Sequence, residues 1–100
     1  MLIFKYELEK YRTCAIKLPE NYQIIKLALQ NRIPMVWVLL EENNPHVMNR
    51  DVNFYCIMTG ESFVWSDFVE PNVDYLDSYQ LNELVCHIFC AKRFEKCPKL

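Results

Sequence analysis

Short runs in which apolar and polar side chains alternate recur along the first 60 residues, and this period of two constrains the fold more than any other feature. Alternation over about four to eight residues is typical of a β-strand with one buried face. The runs are residues 2–8, 13–18, 23–29, 35–41 and 52–58. Turn-forming residues separate them. The sequence therefore predicts a mostly β domain, a single antiparallel sheet or small sandwich of about six to seven strands.

The third and fourth runs predict an antiparallel hairpin, because only a short polar break, residues 31–34, separates them. Trp37 lies in the fourth run, among β-branched and aliphatic neighbours that suit a pleated surface. We expect the Trp37 side chain to pack in the core. Its expected neighbours there are Phe4, Tyr6 or Phe54.

The C-terminal part of the chain is less regular. Residues 61–74 mix aromatic and acidic side chains with a proline, and they predict a long loop or an arm that covers the core. Residues 75–94 fit two periods, because their apolar side chains recur at helical spacing while residues 84–89 also alternate. Periodicity alone favours a helix there. An α+β domain with a helix over residues 78–94 is therefore the alternative fold.

The length of 100 residues, 52% of them hydrophobic, suits one domain with one core, spanning residues 1–100. A single glycine leaves no flexible linker. The longest apolar run, residues 35–40, is far shorter than the ~20 residues of a membrane span. The N-terminus also lacks the basic and apolar regions of a signal peptide. We therefore expect a soluble intracellular protein that does not contact a membrane.

Charge is distributed unevenly, although the net charge is only −2. No lysine or arginine occurs between Arg50 and Lys92. The acidic residues in that interval are Asp51, Glu61, Asp67, Glu70, Asp74, Asp77 and Glu83. Nucleic-acid-binding proteins usually carry a basic excess on one surface, so this pattern argues against direct contact with nucleic acid. An acidic surface favours a basic protein partner, and the alternative is a solvated acidic face without any partner.

Aromatic side chains accompany these acids. Trp65 and Phe63 lie in the irregular acidic stretch, a combination typical of protein-binding hot spots. The alternative is that the arm folds back and buries Trp65. The predicted partner-binding residues are Glu61, Phe63, Trp65, Asp67, Glu70, Asp74, Tyr75, Asp77 and Tyr79.

Five cysteines, an odd number in a chain without an export signal, are most simply reduced thiols. Cys86, His87, Cys90 and Cys97 form the only spacing that suggests a metal, and they are kept as an alternative zinc site. On a strand, Cys86 and Cys90 would lie about 13 Å apart, too far to share one ion. No C-x2-C pair occurs. The sequence therefore predicts no metal and no other cofactor.

No catalytic signature is strong. A cysteine nucleophile would need His46 or His87 as its base, and paired carboxylates such as Asp74 and Asp77 more often just solvate a strand. The single glycine rules out a P-loop and a dinucleotide-binding fingerprint, and the G-x-S-x-G elbow is absent. We therefore expect a binding protein and not an enzyme.

Six short motifs follow one another in a particular order. They are Phe4-Lys5-Tyr6-Glu7-Leu8, Leu18-Pro19, residues 24–31, residues 37–40, residues 54–60 and His87-Ile88-Phe89. This order resembles a family of small uncharacterised proteins from tailed bacteriophages and their prophages. The chain departs from that family at Glu61, where a histidine is usual, and at Cys86, where an aromatic residue is usual. The resemblance implies an antiparallel β domain with residues 83–90 as a strand, and it carries over no functional residues.

The resemblance and the charge pattern together predict a phage-encoded accessory protein that acts in the cytoplasm of the bacterial host. It would inhibit a host protein, such as a defence nuclease, by occluding a basic, nucleic-acid-binding surface. A small-ligand (nucleotide) sequestering oligomer and a minor virion protein are the alternatives. The sequence also leaves a homodimer open.

Overall fold

The computed structural model describes residues 1–41 and 49–92, which form seven β-strands and one short 3₁₀ turn. The strands are β1 (Leu2–Glu7), β2 (Cys14–Pro19), β3 (Tyr22–Gln30), β4 (Ile33–Leu40), β5 (Asn49–Met58), β6 (Asp74–Leu81) and β7 (Leu84–Cys90). The prediction of a mostly β domain with six to seven strands is confirmed. None of the described residues forms a helix long and apolar enough to cross a lipid bilayer.

The strands form two antiparallel sheets that share one core. The three-stranded sheet has the order β1-β4-β3, and the four-stranded sheet has the order β2-β5-β7-β6. Alternate side chains of each sheet point into the space between the sheets. Val36 and Val38 fill it from the first sheet, and Leu18, Phe54 and Ile88 fill it from the second. The side chains between them along each strand lie on the outer face of the sheet, as in a β-sandwich.

The predicted hairpin of β3 and β4 is confirmed, with a shorter turn than the sequence suggested. Ile33 and Pro34 already belong to β4, so the turn consists of Asn31 and Arg32 alone. Both have positive φ angles, 54° and 65°. A two-residue turn of this kind matches the right-handed twist of the paired strands, and asparagine tolerates the left-handed conformation better than most residues do.

The predicted burial of Trp37 in the core is wrong. The buried residues of β4 alternate with half-buried ones, and Trp37 belongs to the half-buried set on the outer face of the three-stranded sheet. It lies between Lys5 of β1 and Lys26 of β3, and the Lys26 Nζ lies 5.5 Å from its ring centroid. The ring is therefore covered by the lysine stems and a cation–π contact instead of by the core.

The alternative of a helix over residues 78–94 is wrong as far as residue 92. β6 and β7 form an antiparallel hairpin there, and the strand that the resemblance implied over residues 83–90 is confirmed. The predicted irregular segment before them is also confirmed, except that its last residue, Asp74, begins β6. A register shift between Tyr75 and Asp77 interrupts the alternation of β6.

Candidate functional site

The irregular segment between β5 and β6, residues 61–73, is here called the arm. It lies over the outer face of the four-stranded sheet. Tyr55 of β5 and Phe89 of β7 project from that face, because their strand neighbours Phe54 and Ile88 point into the core. A 3₁₀ turn, Trp65–Asp67, bends the arm so that its aromatic side chains meet these two rings.

Six rings from the arm and from the sheet beneath it form one aromatic cluster: Tyr55, Phe63, Trp65, Phe68, Tyr75 and Phe89. Phe89 is central, with ring centroids 5.2 Å from Phe63, 5.8 Å from Trp65 and 5.6 Å from Phe68. The Tyr55 and Phe68 ring centroids lie 4.5 Å apart, with the ring planes tilted by 43°. These separations lie in the range where aromatic pairs gain energy beyond simple burial. The arm is therefore fixed to the sheet by packed rings.

The cluster has a buried base and an exposed top. Phe68 and Phe89 are buried, whereas Trp65 is 59% exposed and Tyr75 is 43% exposed. Val64 and Val69 on the arm are also exposed. The arm folds back onto the sheet, as one alternative proposed, but it does not bury Trp65. The result is a pre-ordered apolar patch at the surface, a feature typical of interaction sites.

Glu70 holds the end of the arm against β5. One carboxylate oxygen accepts hydrogen bonds from the Asn53 backbone N–H (2.9 Å) and from Asn53 Nδ2 (3.0 Å). The other accepts from the Tyr55 hydroxyl at 2.6 Å, and that hydroxyl accepts from the Val69 N–H. Burial raises the pKa of the Tyr55 phenol, and the bond to Glu70 raises it further. Glu70, predicted as a partner contact, is thus used largely within the fold.

Glu61 and Asp67 also support the arm. Glu61 accepts a hydrogen bond from the Met58 N–H at 2.6 Å, and Asp67 caps the 3₁₀ turn by accepting from the Val64 N–H at 3.1 Å. Asp74 and Asp77 lie exposed on β6, where, within the part of the chain that the structure describes, each accepts a hydrogen bond only from the N–H of the following residue. None of these carboxylates forms an ion pair with a cation among the described residues, whereas Asp51 pairs with Lys17.

The exposed residues of the arm and of neighbouring β6 are here called the aromatic–acidic surface. Its members are Glu61, Val64, Trp65, Asp67, Val69, Asp74, Tyr75 and Asp77. The structure thus brings Glu61, Trp65, Asp67 and Tyr75 together over the outer face of one sheet. Asp74 and Asp77 lie opposite the core-facing Cys90 and Ile88, so they are exposed beside this face, at the sheet edge that β6 forms. Phe63 lies half-buried beneath the aromatic–acidic surface.

Tyr79 is not part of this surface. It is only 5% exposed, and its hydroxyl accepts a hydrogen bond from the Tyr11 N–H inside the fold. Burial is the main reason that the pKa of Tyr79 is raised, and a hydrogen bond to Cys86 adds to it. Tyr79 faces the core because the register shift after Tyr75 places the two tyrosines on opposite faces of β6.

His87 belongs to a row of hydrogen bonds that the sequence did not reveal. Its Nδ1 lies 2.7 Å from Ser78 Oγ, its Nε2 lies 2.8 Å from Thr59 Oγ1, and Ser78 Oγ also bonds the Tyr75 hydroxyl at 2.7 Å. The His87 side chain is half-buried on the outer face beside Phe89. Hydroxyl groups, and not a carboxylate, contact both ring nitrogens, so the row lacks the orienting acid of a catalytic triad.

The alternative zinc site is not assembled. Cys86 and Cys90 point into the core from β7, and His87 between them points to the opposite face. Cys97, the remaining predicted ligand, lies outside the described residues, as does His46. Among the described residues, no group of three His, Cys, Asp or Glu side chains is placed to hold a metal ion.

The thiols of the buried Cys90 and the half-buried Cys56 should react slowly in the folded protein. Burial raises the pKa of Cys90 to about 12, and burial together with Cys86 raises that of Cys56 to about 12. At pH 8 the thiolate fraction of each should then be roughly a thousandfold below that of a thiol with a pKa of 9.0. Iodoacetamide labelling followed by peptide mass spectrometry measures this directly. Labelling in urea is the control, and equal rates in the folded and unfolded chains would contradict the expectation.

A known family model matches most of the chain. A family model described as "Domain of unknown function (DUF7352)" matches residues 1–97, which includes both sheets and the whole arm. No curated protein and no solved structure shows a significant match. The aromatic–acidic surface therefore lies within the matched region, and its geometry is the basis for an assignment of function.

Proposed function

The chain belongs to the family described as a domain of unknown function, DUF7352, and we propose that it is a protein-binding domain whose aromatic–acidic surface occupies a basic surface of a partner protein. The observation that carries this proposal is the exposed Trp65 on an ordered aromatic base, flanked by carboxylates without ion pairs among the described residues. Hot spots of protein interfaces are enriched in tryptophan and tyrosine, and Trp65 and Tyr75 offer both.

The apolar part of the surface is suited to binding because it is already ordered. Association costs free energy when loops and side chains must be immobilised at the interface. Ring packing against Phe68 and Phe89, and the Glu70 hydrogen bonds, fix the arm before a partner arrives. Trp65 and the exposed valines can then bury their solvent-exposed surface against a partner with little further loss of conformational freedom.

The carboxylates indicate the charge of the partner. Asp74 and Asp77 on β6 and Glu61 and Asp67 on the arm have no cation within ion-pair distance among the described residues. A basic groove that normally binds phosphates would be attracted to them, and the association rate would fall as salt increases. Occupation of that groove would exclude nucleic acid by competition and by bulk.

The order of motifs shared with phage and prophage proteins supports a more specific form of the proposal. In that form, the chain is a phage-encoded accessory protein in the cytoplasm of the bacterial host, and its partner is a nucleic-acid-binding host protein such as a defence nuclease. This form supplies the cell type in which to search for the partner. The binding proposal itself depends only on the surface.

Affinity capture from bacterial lysate with three matched variants tests the proposal. W65A removes the exposed ring, and D74K/D77K reverses two charges without touching the Glu70 hydrogen bonds that hold the arm. E9K/E20K makes the same charge change at exposed carboxylates outside the surface. Basic nucleic-acid-binding proteins captured by the wild type should decrease at least about tenfold with the first two variants and remain with the third.

A duplex DNA competitor and a salt series complete the experiment, because both should release the captured protein. Equal capture by all variants would contradict the proposed surface. A rise in melting temperature with added nucleotides, measured in parallel, would instead favour the alternative of a nucleotide-sequestering protein, since a ligand that binds the folded state raises its stability.

A further inference from the structure

The strand β1 forms an open edge of the three-stranded sheet. It pairs only with β4 among the described residues, so the backbone groups on its other side have no strand partner there. Its side chains are exposed on both faces: Ile3 is 58% exposed on the outer face, and Leu2 and Phe4 are 43% and 47% exposed on the core side. An exposed apolar edge of this kind is a template for pairing with another strand.

Two of the other three sheet edges are blocked by covering chain or by a distorted strand. At β3, a register shift lies between Ile24 and Lys26, and the Ile24 N–H donates to the Lys92 carbonyl oxygen. At β6, a second register shift lies after Tyr75. Bulges and covering chain both prevent edge-to-edge pairing.

The third edge, β2, carries residues that oppose pairing, namely an exposed Lys17 and a terminal Pro19. In β1 the ladder to β4 is regular and the strand contains no proline. Its one lysine, Lys5, donates a hydrogen bond to Gln30 of β3 within the same sheet. β1 is therefore the edge with the fewest obstacles to pairing.

We propose that the protein forms a homodimer in which β1 pairs antiparallel with β1 of a second copy around a two-fold axis at Phe4. The axis must be perpendicular to the sheet, so both core faces lie on the same side and even-numbered residues meet even-numbered ones. Phe4 then faces Phe4 of the second copy, and Leu2 faces its Tyr6. On the outer face, Ile3 faces Lys5 of the second copy.

The alternative registers are poorer. An axis at Lys5 places the two Lys5 side chains directly opposite each other, and like charges in that position are destabilising. An axis at Ile3 or at Tyr6 pairs only three of the six residues of β1. The register at Phe4 pairs five residues, avoids like charges and extends the apolar row of the core side through the dimer.

The dimer would carry one continuous six-stranded sheet, twice the three-stranded sheet of a single chain. The aromatic–acidic surface lies on the other sheet of each chain, so this pairing leaves it uncovered. Each dimer would then expose two copies of that surface. The dimer is independent of the proposed function, because it uses different residues on a different sheet.

Sedimentation velocity over a concentration series tests the interface with two variants at one exposed position. I3K places a lysine opposite Lys5 at two symmetric sites, and it should raise the dimer dissociation constant by about tenfold or more. I3E places a carboxylate opposite the same lysines, and it should leave dimerisation unchanged or tighten it. Amide hydrogen exchange in β1 should slow as the wild-type concentration rises, and this protection should be lost in I3K.

Melting temperatures of the two variants show whether each still folds, and position 3 is exposed enough for both to do so. A wild-type chain that remains monomeric at its highest soluble concentration would overturn the proposal. Equal dissociation by I3K and I3E would overturn the register at Phe4, because opposite charges should have opposite effects there. Unchanged dimerisation in both variants, with no concentration dependence of exchange in β1, would place the interface elsewhere.

Discussion

Replacement of Phe68 by alanine is expected to lower the free energy of unfolding by about 3 kcal/mol and to release the arm from the sheet. Phe68 is the most buried side chain of the arm, and its ring packs on Tyr55, Phe63 and Phe89. Its loss would remove ring contacts and leave a cavity between the arm and β7. For a domain of this size, such a change corresponds to a fall in melting temperature of about 15 °C.

The two tryptophans allow the local and global effects of F68A to be separated. Trp65 reports on the arm and Trp37 on the three-stranded sheet, and the chain contains no other tryptophan. In the wild type, urea unfolding followed in W37F and in W65F backgrounds should give coincident transitions. With F68A, the Trp65 signal should change at lower urea than the Trp37 signal.

V69A provides the matched control, because Val69 is the next residue and is 84% exposed. It should change neither transition measurably. If F68A left both transitions coincident and shifted by less than about 1 kcal/mol, the ring packing would not be what holds the arm.

Alternation in the sequence located the strands β1 to β5, because each of them buries one face and a period of two is the direct consequence. Alternation did not indicate which face of β4 is buried. Both faces of that strand are apolar, and the size of Trp37 favoured the wrong one. The informative signal was on its neighbours, since Lys5 and Lys26 lie directly opposite Trp37 and a pair of lysines marks an outer face.

Alternation failed in β6 because the register shift after Tyr75 moves the later residues to the opposite face. Because its alternation is interrupted, the apolar residues of β6 and β7 taken together also fit a helical period. The signal that could have corrected this was the two-residue turn of Asn82 and Glu83, with Asn82 at a positive φ of 59°. A hairpin with that turn pairs Ser78 with His87 and would have revealed the hydrogen-bonded row.

Composition correctly indicated that acids and aromatic residues are concentrated in the arm, but it could not separate their roles. In the sequence, Glu70 and Trp65 are equally good candidates for contact with a partner protein. In the structure, one is fixed by hydrogen bonds to β5 and the other is exposed. This distinction depends on which strand the arm crosses, and that is a tertiary contact no local pattern encodes.

Replacement of Glu70 by alanine is expected to lower the free energy of unfolding by about 3 kcal/mol, close to the effect of F68A. The carboxylate accepts from the Asn53 N–H, the Asn53 amide and the Tyr55 hydroxyl. Hydrogen bonds to a charged group are worth more than neutral ones, and the partly buried donors would lose their acceptor. E70Q keeps the size of the side chain but replaces one acceptor with a donor, so it should cost about half as much.

A double-mutant cycle with Y55F isolates one of these bonds. The cost of Y55F should be smaller in the E70A background than in the wild type, because the bond is already absent there. Additive costs would show that the Tyr55 hydroxyl and the Glu70 carboxylate do not act together.

The same bond predicts how stability depends on alkaline pH. Burial, together with the hydrogen bond to Glu70, raises the pKa of Tyr55 above its ordinary value of 10.0, so the folded state favours the neutral phenol. This contribution to stability is fully present below pH 10 and is lost as the pH rises through the folded-state pKa. Urea unfolding of the wild type and of Y55F should therefore converge above pH 10. A constant difference between the two across this pH range would show that the Tyr55 phenol does not titrate with the linkage that its raised pKa requires.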